Sequence, residues 1–194
     1  MYRVSALIVC LSVLAVGCSD SPLAPSSPGP SSPGPSSGTS TTTTFTVPLS
    51  PANEVPAITN ADTSGSGTAV IALTANKDSS GTITSATANI QISVAGFPAG
   101  TTFTDAHIHN APAGSNGGVF VSATLSAGEL TLTDGTGTVT KNGISVPADR
   151  AAAILANPAG HYFNVHTGLN PGGAIRGQLQ GGSASIDPGV AQPY

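Results

Sequence analysis

Apolar and polar residues alternate along most of the chain from residue 45 onward. The longest run covers residues 84–94, where the even-numbered positions from 86 are apolar and the odd-numbered positions between them are Thr, Asn, Gln or Ser. A period of two predicts a β-strand with one buried face. Similar alternation predicts further strands at residues 43–47, 68–73, 104–109, 119–125, 129–133, 137–140, 162–167 and 174–179.

One segment departs from the alternation and predicts a helix. Residues 147–156 begin with Pro147, are rich in Ala, and are followed by a second proline, Pro158. Proline suits the first turn of a helix and stops a helix that reaches it from the N-terminal side. The whole pattern predicts an all-β fold. We expect an antiparallel β-sandwich, with an immunoglobulin-like or superoxide-dismutase-like Greek key, and one short helix whose apolar face contains Ala151, Ile154 and Leu155.

The N-terminus has the pattern of an export signal. Arg3 precedes an apolar run at residues 4–16, which is too short to span a bilayer but typical of a signal peptide. The run ends in Leu14-Ala15-Val16-Gly17-Cys18, which resembles a lipobox, the motif in which a cysteine receives diacylglycerol. We therefore predict a signal peptide at residues 1–17, lipidation of Cys18, and a protein that is exported and lipid-anchored to the membrane of a bacterial cell envelope. The alternative is an ordinary secretory signal with an incidental cysteine.

Three segments follow the predicted signal peptide. Residues 18–44 contain the pentapeptide Ser-Ser-Pro-Gly-Pro twice and little that is apolar, which predicts a disordered Pro/Ser/Thr stalk behind the lipidated cysteine. Residues 45–180 carry the alternation and form the predicted β domain. Residues 181–194 are polar and rich in Gly, which predicts a flexible tail.

The charge of the exported part excludes one class of partner. Only 7% of all residues are charged, and beyond the predicted signal peptide the four cations stand against nine carboxylates. Nucleic-acid binding depends on clustered cations that neutralise phosphates. We expect no nucleic-acid partner.

Histidines form the most distinctive chemical pattern. His107 and His109 are two residues apart on a predicted strand, so their side chains share one face about 7 Å apart. On the strand at 162–167, His166 lies on the face opposite Phe163 and Val165. Two neighbouring imidazoles and a third distant one can form a copper or zinc site.

Two alternatives remain open for these histidines. In the metal site, Glu54 or Asp105 is a candidate oxygen ligand, and His161 is the least favoured histidine because it has the opposite parity to His166. In the second interpretation there is no metal, and the imidazoles donate hydrogen bonds to loop carbonyls and brace the turn at residues 110–118.

The few charged residues include a candidate pair at the two ends of the domain. Glu54 and Arg176 either form an ion pair that ties the first strand to the last, or line a ligand groove together with Asn164. A partly buried pair would make each partner costly to remove.

Five stretches, in this order, resemble the CHRD (chordin-type) domain family: residues 49–56, 106–109, 114–119, 162–167 and 173–179. Ala174 departs from the family, in which the position before Ile175 is often acidic. The resemblance implies an extracellular β-rich module, found in bacterial envelope proteins and in a secreted animal antagonist of growth factors. It implies no established reaction.

These observations favour a non-enzymatic module that binds a protein or a cell-wall or matrix ligand; the second hypothesis is a periplasmic or cell-surface copper- or zinc-binding protein. No catalytic residue is predicted. The His-x-His strand resembles copper/zinc superoxide dismutase, but that family needs more histidines and a disulfide, which a chain with only Cys10 and Cys18 cannot form in its mature domain. Hydrolase chemistry is not predicted, because no serine of the predicted β domain at residues 45–180 lies in Gly-x-Ser-x-Gly and the few carboxylates are scattered among turns.

Overall fold

Nine β-strands dominate the part of the chain that the computed structural model describes, residues 38–187. They are β1 (Thr39–Leu49), β2 (Ser66–Lys77), β3 (Ile83–Ala95), β4 (Phe103–Asn110), β5 (Val119–Ser122), β6 (Gly137–Val146), β7 (His161–Thr167), β8 (Ile175–Gln178) and β9 (Ser183–Asp187). Five strands form one antiparallel sheet in the order β6-β3-β2-β1-β9, and four form a second in the order β5-β4-β7-β8. The predicted all-β sandwich is confirmed.

The core lies between the two sheets and contains the residues that the alternation predicts. In β3, Ala86, Ala88, Ile90, Ile92 and Val94 are all buried. They share one apolar cluster with residues of the second sheet, including Ile108, Phe163, Val165 and Ile175. Removing one Ile, Val or Phe side chain of this cluster from water contributes about 1.5–3 kcal/mol. The residues that the period-two pattern identifies are therefore the ones whose burial stabilises the packing of the two sheets.

The predicted helix is present as α1 (Ala148–Ala156), with Pro147 at its N-cap. Ala151 and Ile154 are buried, and Leu155 packs against the core from a partly buried position. The helix lies against β3 and β2. Three short 3₁₀ helices cover Pro51–Asn53, Ala61–Ser64 and Pro158–Gly160. No helix of residues 38–187 is long and apolar enough to cross a membrane.

The sheet extends beyond the expected domain at both ends. Residues 39–44, expected in the stalk, belong to β1 and pair with β2, because Thr is β-branched and suits a pleated strand. Residues 183–187, expected in the flexible tail, form β9 and pair with β1. The predicted signal peptide at 1–17, Cys18, the stalk up to residue 37 and the tail from residue 188 lie outside the described residues.

One predicted strand is wrong, and another ends well before its predicted last residue. Residues 129–133 form a single β-bridge, between Thr131 and Thr102, instead of a strand. Leu130 and Leu132 are nevertheless buried, so the alternation identified inward-facing side chains in a segment of loop. The strand expected at 119–125 ends at Ser122, because Thr124 has a left-handed backbone (φ 56°) that breaks the extended conformation.

The outer faces of the two sheets differ. On the five-stranded sheet, hydroxyl residues face outward; one row of neighbours across the strands is Ser185, Thr42, Thr74, Thr87 and Ser145. The outer face of the four-stranded sheet is covered by loops at residues 50–65, 111–118 and 168–174, which we call the roof. Asn116 donates to the carbonyl of Val55, and Asn60 and Asn170 exchange hydrogen bonds. All seven residues of β7 are consequently buried.

Candidate metal centre

Strands β4 and β7 bring three histidines together beneath the roof. Their antiparallel register places Asp105 opposite His166 and His107 opposite Asn164. One ring nitrogen from each of His107, His109 and His166 lies within 4.8 Å of the corresponding atoms of the other two. His109 and His166 are buried, and His107 is partly exposed. The three residues that the sequence singled out are therefore neighbours in the fold.

Loop carbonyls fix the orientation of two of the rings. Nδ1 of His109 lies 2.9 Å from the carbonyl oxygen of Gly117, and Nδ1 of His166 lies 2.9 Å from that of Pro171. A carbonyl can only accept, so each Nδ1 carries the proton and donates. Each Nε2 then presents its lone pair. A backbone acceptor behind the ring is the usual way in which metal-binding histidines are held.

His107 is held by a carboxylate. Its Nε2 lies 3.1 Å from Oδ1 of Asp105, and its Nδ1 lies 3.1 Å from Nε2 of His166. If Nε2 donates to the carboxylate, then Nδ1 and the His166 nitrogen are two lone pairs facing each other. Two nitrogens on one tetrahedral zinc are about 3.3 Å apart, given Zn–N bonds of about 2.0–2.1 Å. Without an ion, His107 would donate from Nδ1 to His166 instead.

Burial favours the metal-binding form of His107 and His109. Loss of hydration lowers the pKa of His107 below its usual value, although Asp105 acts in the opposite direction. Burial likewise lowers the pKa of His109, against the opposing effect of the Gly117 carbonyl. The neutral imidazole, which has a free lone pair, is therefore the favoured form at neutral pH.

Glu54 lies in an ion pair and not among the three imidazoles. Its Oε2 accepts from Nε and Nη2 of Arg176 at 2.9 and 2.8 Å, and both side chains are buried. The predicted pair between the ends of the domain is thus present, and the expectation of Glu54 as a direct oxygen ligand is corrected. The carboxylate is drawn to the guanidinium because it is the nearest full positive charge.

Arg176 also fastens the roof. It donates to the carbonyl of Ser115 at 2.9 Å and to Oδ1 of Asn116 at 2.6 Å, and its guanidinium lies 4.1 Å above the ring of Tyr162. An open cleft lies beside it, but four of the five N–H groups of Arg176 are already donated. The geometry therefore favours the structural role of this residue over the ligand groove.

Two further contacts of the site join residues that the sequence pattern does not show to be neighbours. Tyr162 stacks on His109, with centroids 4.7 Å apart and planes 3° from parallel. Asp62, a buried carboxylate in the roof, accepts from the hydroxyl of Thr167 and the amide of Asn170, both at 2.6 Å. His161 is buried elsewhere, with Nδ1 3.0 Å from the carbonyl of Asn157, and does not join the histidine group.

Among known proteins, no curated protein and no solved structure matches the chain. The model of the CHRD domain family matches residues 45–179, a range that begins within β1, ends just after β8 and includes all three clustered histidines. The match covers well over half of the 194 residues. The chain therefore belongs to the CHRD domain family.

Proposed function

We propose that this CHRD domain is a non-enzymatic binding module that holds one copper or zinc ion through His107, His109 and His166. One observation carries the proposal: one nitrogen of each imidazole lies 2.9–3.1 Å from a carbonyl or carboxylate oxygen, and one nitrogen of each ring lies within 4.8 Å of one nitrogen of both other rings. Bracing alone would not require the second nitrogens to converge. Three fixed rings are a preorganised site, which binds without first paying to order its ligands.

The donor chemistry favours copper or zinc over magnesium or calcium. Imidazole nitrogen suits Zn²⁺ and Cu²⁺, whereas Mg²⁺ and Ca²⁺ prefer oxygen ligands. Copper binds more tightly than zinc at a given nitrogen site. The partial exposure of His107 leaves the ion one side that is close to solvent.

Membership of the CHRD family favours a second candidate function, a module that interacts with a protein or a cell-wall or matrix partner. The two candidates are compatible, because the histidines lie on strands of the four-stranded sheet and the bare outer face belongs to the five-stranded sheet. The metal site has the sharper chemical test.

Metal binding is tested on the exported protein prepared without a polyhistidine tag. We expect one Cu²⁺ or Zn²⁺ per chain by elemental analysis, and a higher melting temperature when metal is added to the metal-free protein. An ion at 100 times its Kd stabilises the folded state by about 2.7 kcal/mol. His109→Ala should abolish the shift, and His161→Ala, which removes a buried histidine outside the group, should retain it. An unchanged melting temperature with every metal tested would support the bracing role instead.

We further propose that the protein is displayed on the bacterial envelope through a lipid on Cys18. The support is the lipobox-like sequence that ends at this residue. Because diacylation requires the thiol, Cys18→Ser should abolish incorporation of a radioactive fatty acid. Equal labelling of the wild type and the variant would leave an exported protein without this anchor.

A further inference from the structure

Asn164 lies at the centre of the histidine group. In the sheet it pairs with His107 on one side and with Arg176 on the other. Along β7 it lies two residues from both Tyr162 and His166, on the same face. Its side chain is buried, yet within residues 38–187 its Oδ1 has no hydrogen-bond partner. Leaving a buried acceptor unpaired is unfavourable for folding, so the position of Asn164 requires an explanation.

A second unpaired acceptor lies beside it. Nε2 of His109 is buried and has no partner in the described part of the chain. Its Nδ1 donates to Gly117, so Nε2 offers a lone pair. In the sheet, His109 lies opposite Tyr162 and Asn164 lies opposite His107, so the side chains of His109 and Asn164 are diagonal neighbours on the outer face. Two buried acceptors, each without a donor among the described residues, therefore lie near each other.

Rotating the amide of Asn164 by half a turn does not remove the conflict. On its other side lies Oε1 of Glu54, which is also buried and unpartnered among the described residues. A Cβ atom placed on Gly173 would be 2.6 Å from this Oε1 and 2.7 Å from Nδ2 of Asn164, so the two atoms line the same small space. A rotated amide would turn its oxygen towards a carboxylate. The negative charge of Glu54, which Arg176 fixes in place, therefore favours the orientation that has the amide nitrogen on its own side and the oxygen on the side of the imidazoles.

A cation between the two acceptors resolves the conflict. We propose that Asn164 is the fourth group of the metal site and presents Oδ1 to the ion held by His107, His109 and His166. This inference rests on the proposed metal-binding function and specifies a donor set of three nitrogens and one oxygen. Glu54 then acts one step behind the ligands, as the residue that orients the amide.

The test compares Asn164→Leu with the wild-type protein. Leucine has nearly the same shape and no oxygen, so we expect zinc affinity, measured by competition with a chelator, to fall by at least the roughly 10- to 100-fold that is usual when a residue that only orients a metal ligand is lost. The electron paramagnetic resonance spectrum of bound Cu²⁺ should change, because an oxygen donor is lost. Asn76→Leu, a substitution at an exposed position near the end of β2 in the other sheet, should leave both measurements unchanged.

Asn164→Asp supplies an independent readout if the leucine variant fails to fold. It keeps an oxygen in place and adds a charge, so zinc affinity should rise and the copper spectrum should shift towards a charged oxygen donor. An unchanged affinity and spectrum in either folded variant would overturn this inference and leave the three-histidine site intact. A wild-type protein that binds neither ion would instead overturn the proposed function.

Discussion

The two outer faces of this sandwich are built from similar antiparallel strands, but one is left uncovered and the other is covered by loops. On the five-stranded sheet, short hydroxyl side chains lie side by side in water, as in the row through Thr42, Thr74 and Thr87. On the four-stranded sheet, the roof covers histidines, an ion pair and a carboxylate. Burial of polar groups costs free energy unless each is paired. The roofed face therefore contains the polar groups whose loss of a partner would lower stability, and it also contains the candidate metal ligands. The bare face contains neither.

The largest effect should come from removing Arg176. Arg176→Met leaves Glu54 as a buried, uncompensated charge and frees the loop at Ser115 and Asn116, so we expect a loss of about 3–5 kcal/mol in the free energy of unfolding. Chemical denaturation measures it. The double variant Glu54→Gln, Arg176→Met should recover part of the loss. A loss below about 1 kcal/mol would mean that the roof is held by other contacts.

A second buried group of the roof should matter somewhat less. Asp62→Ala strands the hydroxyl of Thr167 and the amide of Asn170 without their acceptor, and we expect a loss of about 2–3 kcal/mol. The control is Asp149→Ala, which removes an exposed carboxylate from α1. Equal losses in the two variants would remove the distinction between covered and exposed polar groups.

The free energy of unfolding of the metal-free protein should fall at acidic pH because of the buried histidines under the roof. Burial lowers the pKa of His107 and His109 in the folded state, whereas in the unfolded chain the pKa of histidine is about 6.5. Below that pH the unfolded state takes up protons that the folded state does not, so stability falls as the pH drops through about 6.5 and continues to fall until the folded-state values are reached. Denaturation midpoints at pH 7.5 and pH 5 measure the effect. Replacing both histidines with Gln should flatten this dependence, and a profile as steep as that of the wild type would assign it to other groups.

The smallest effect belongs to the bare face. Thr74→Ala deletes a hydroxyl that lies 2.8 Å from that of Thr42, yet both groups can bond to water. We expect a change within about 0.5 kcal/mol. A loss as large as that of Asp62→Ala would show that the hydroxyl rows contribute to stability as strongly as the covered network.

Local periodicity was sufficient to predict the strands and their faces. The alternation in β3 identified five buried residues, and the parity of β4 correctly placed His107 and His109 on the face opposite Ile108. These inferences need only neighbours in sequence, because a strand turns its side chains out every second residue. The alternation at 129–133 failed since buried loop residues can share that spacing.

Long-range features could not be predicted in the same way. Whether His166 reaches His107 depends on the register that pairs it opposite Asp105, and that register is set by the packing of the whole sheet. The burial of Glu54 and Asp62 depends on loops folding over the outer face, which leaves no repeating pattern. The sequence identified the histidines and Glu54 as candidate site residues, but only the three-dimensional structure shows which of them are neighbours.

The loop at residues 111–118 forms hydrogen bonds at adjacent residues with two side chains from different strands. Arg176 binds it at Ser115 and Asn116, and His109 binds it at Gly117. Lifting this loop would therefore release an imidazole from its acceptor in the same movement. For a bound ion, we expect the rate of metal release to be set by the rate at which this loop opens. Variants that change the rate of amide hydrogen exchange at Gly117 should therefore change the rate of metal release in the same direction.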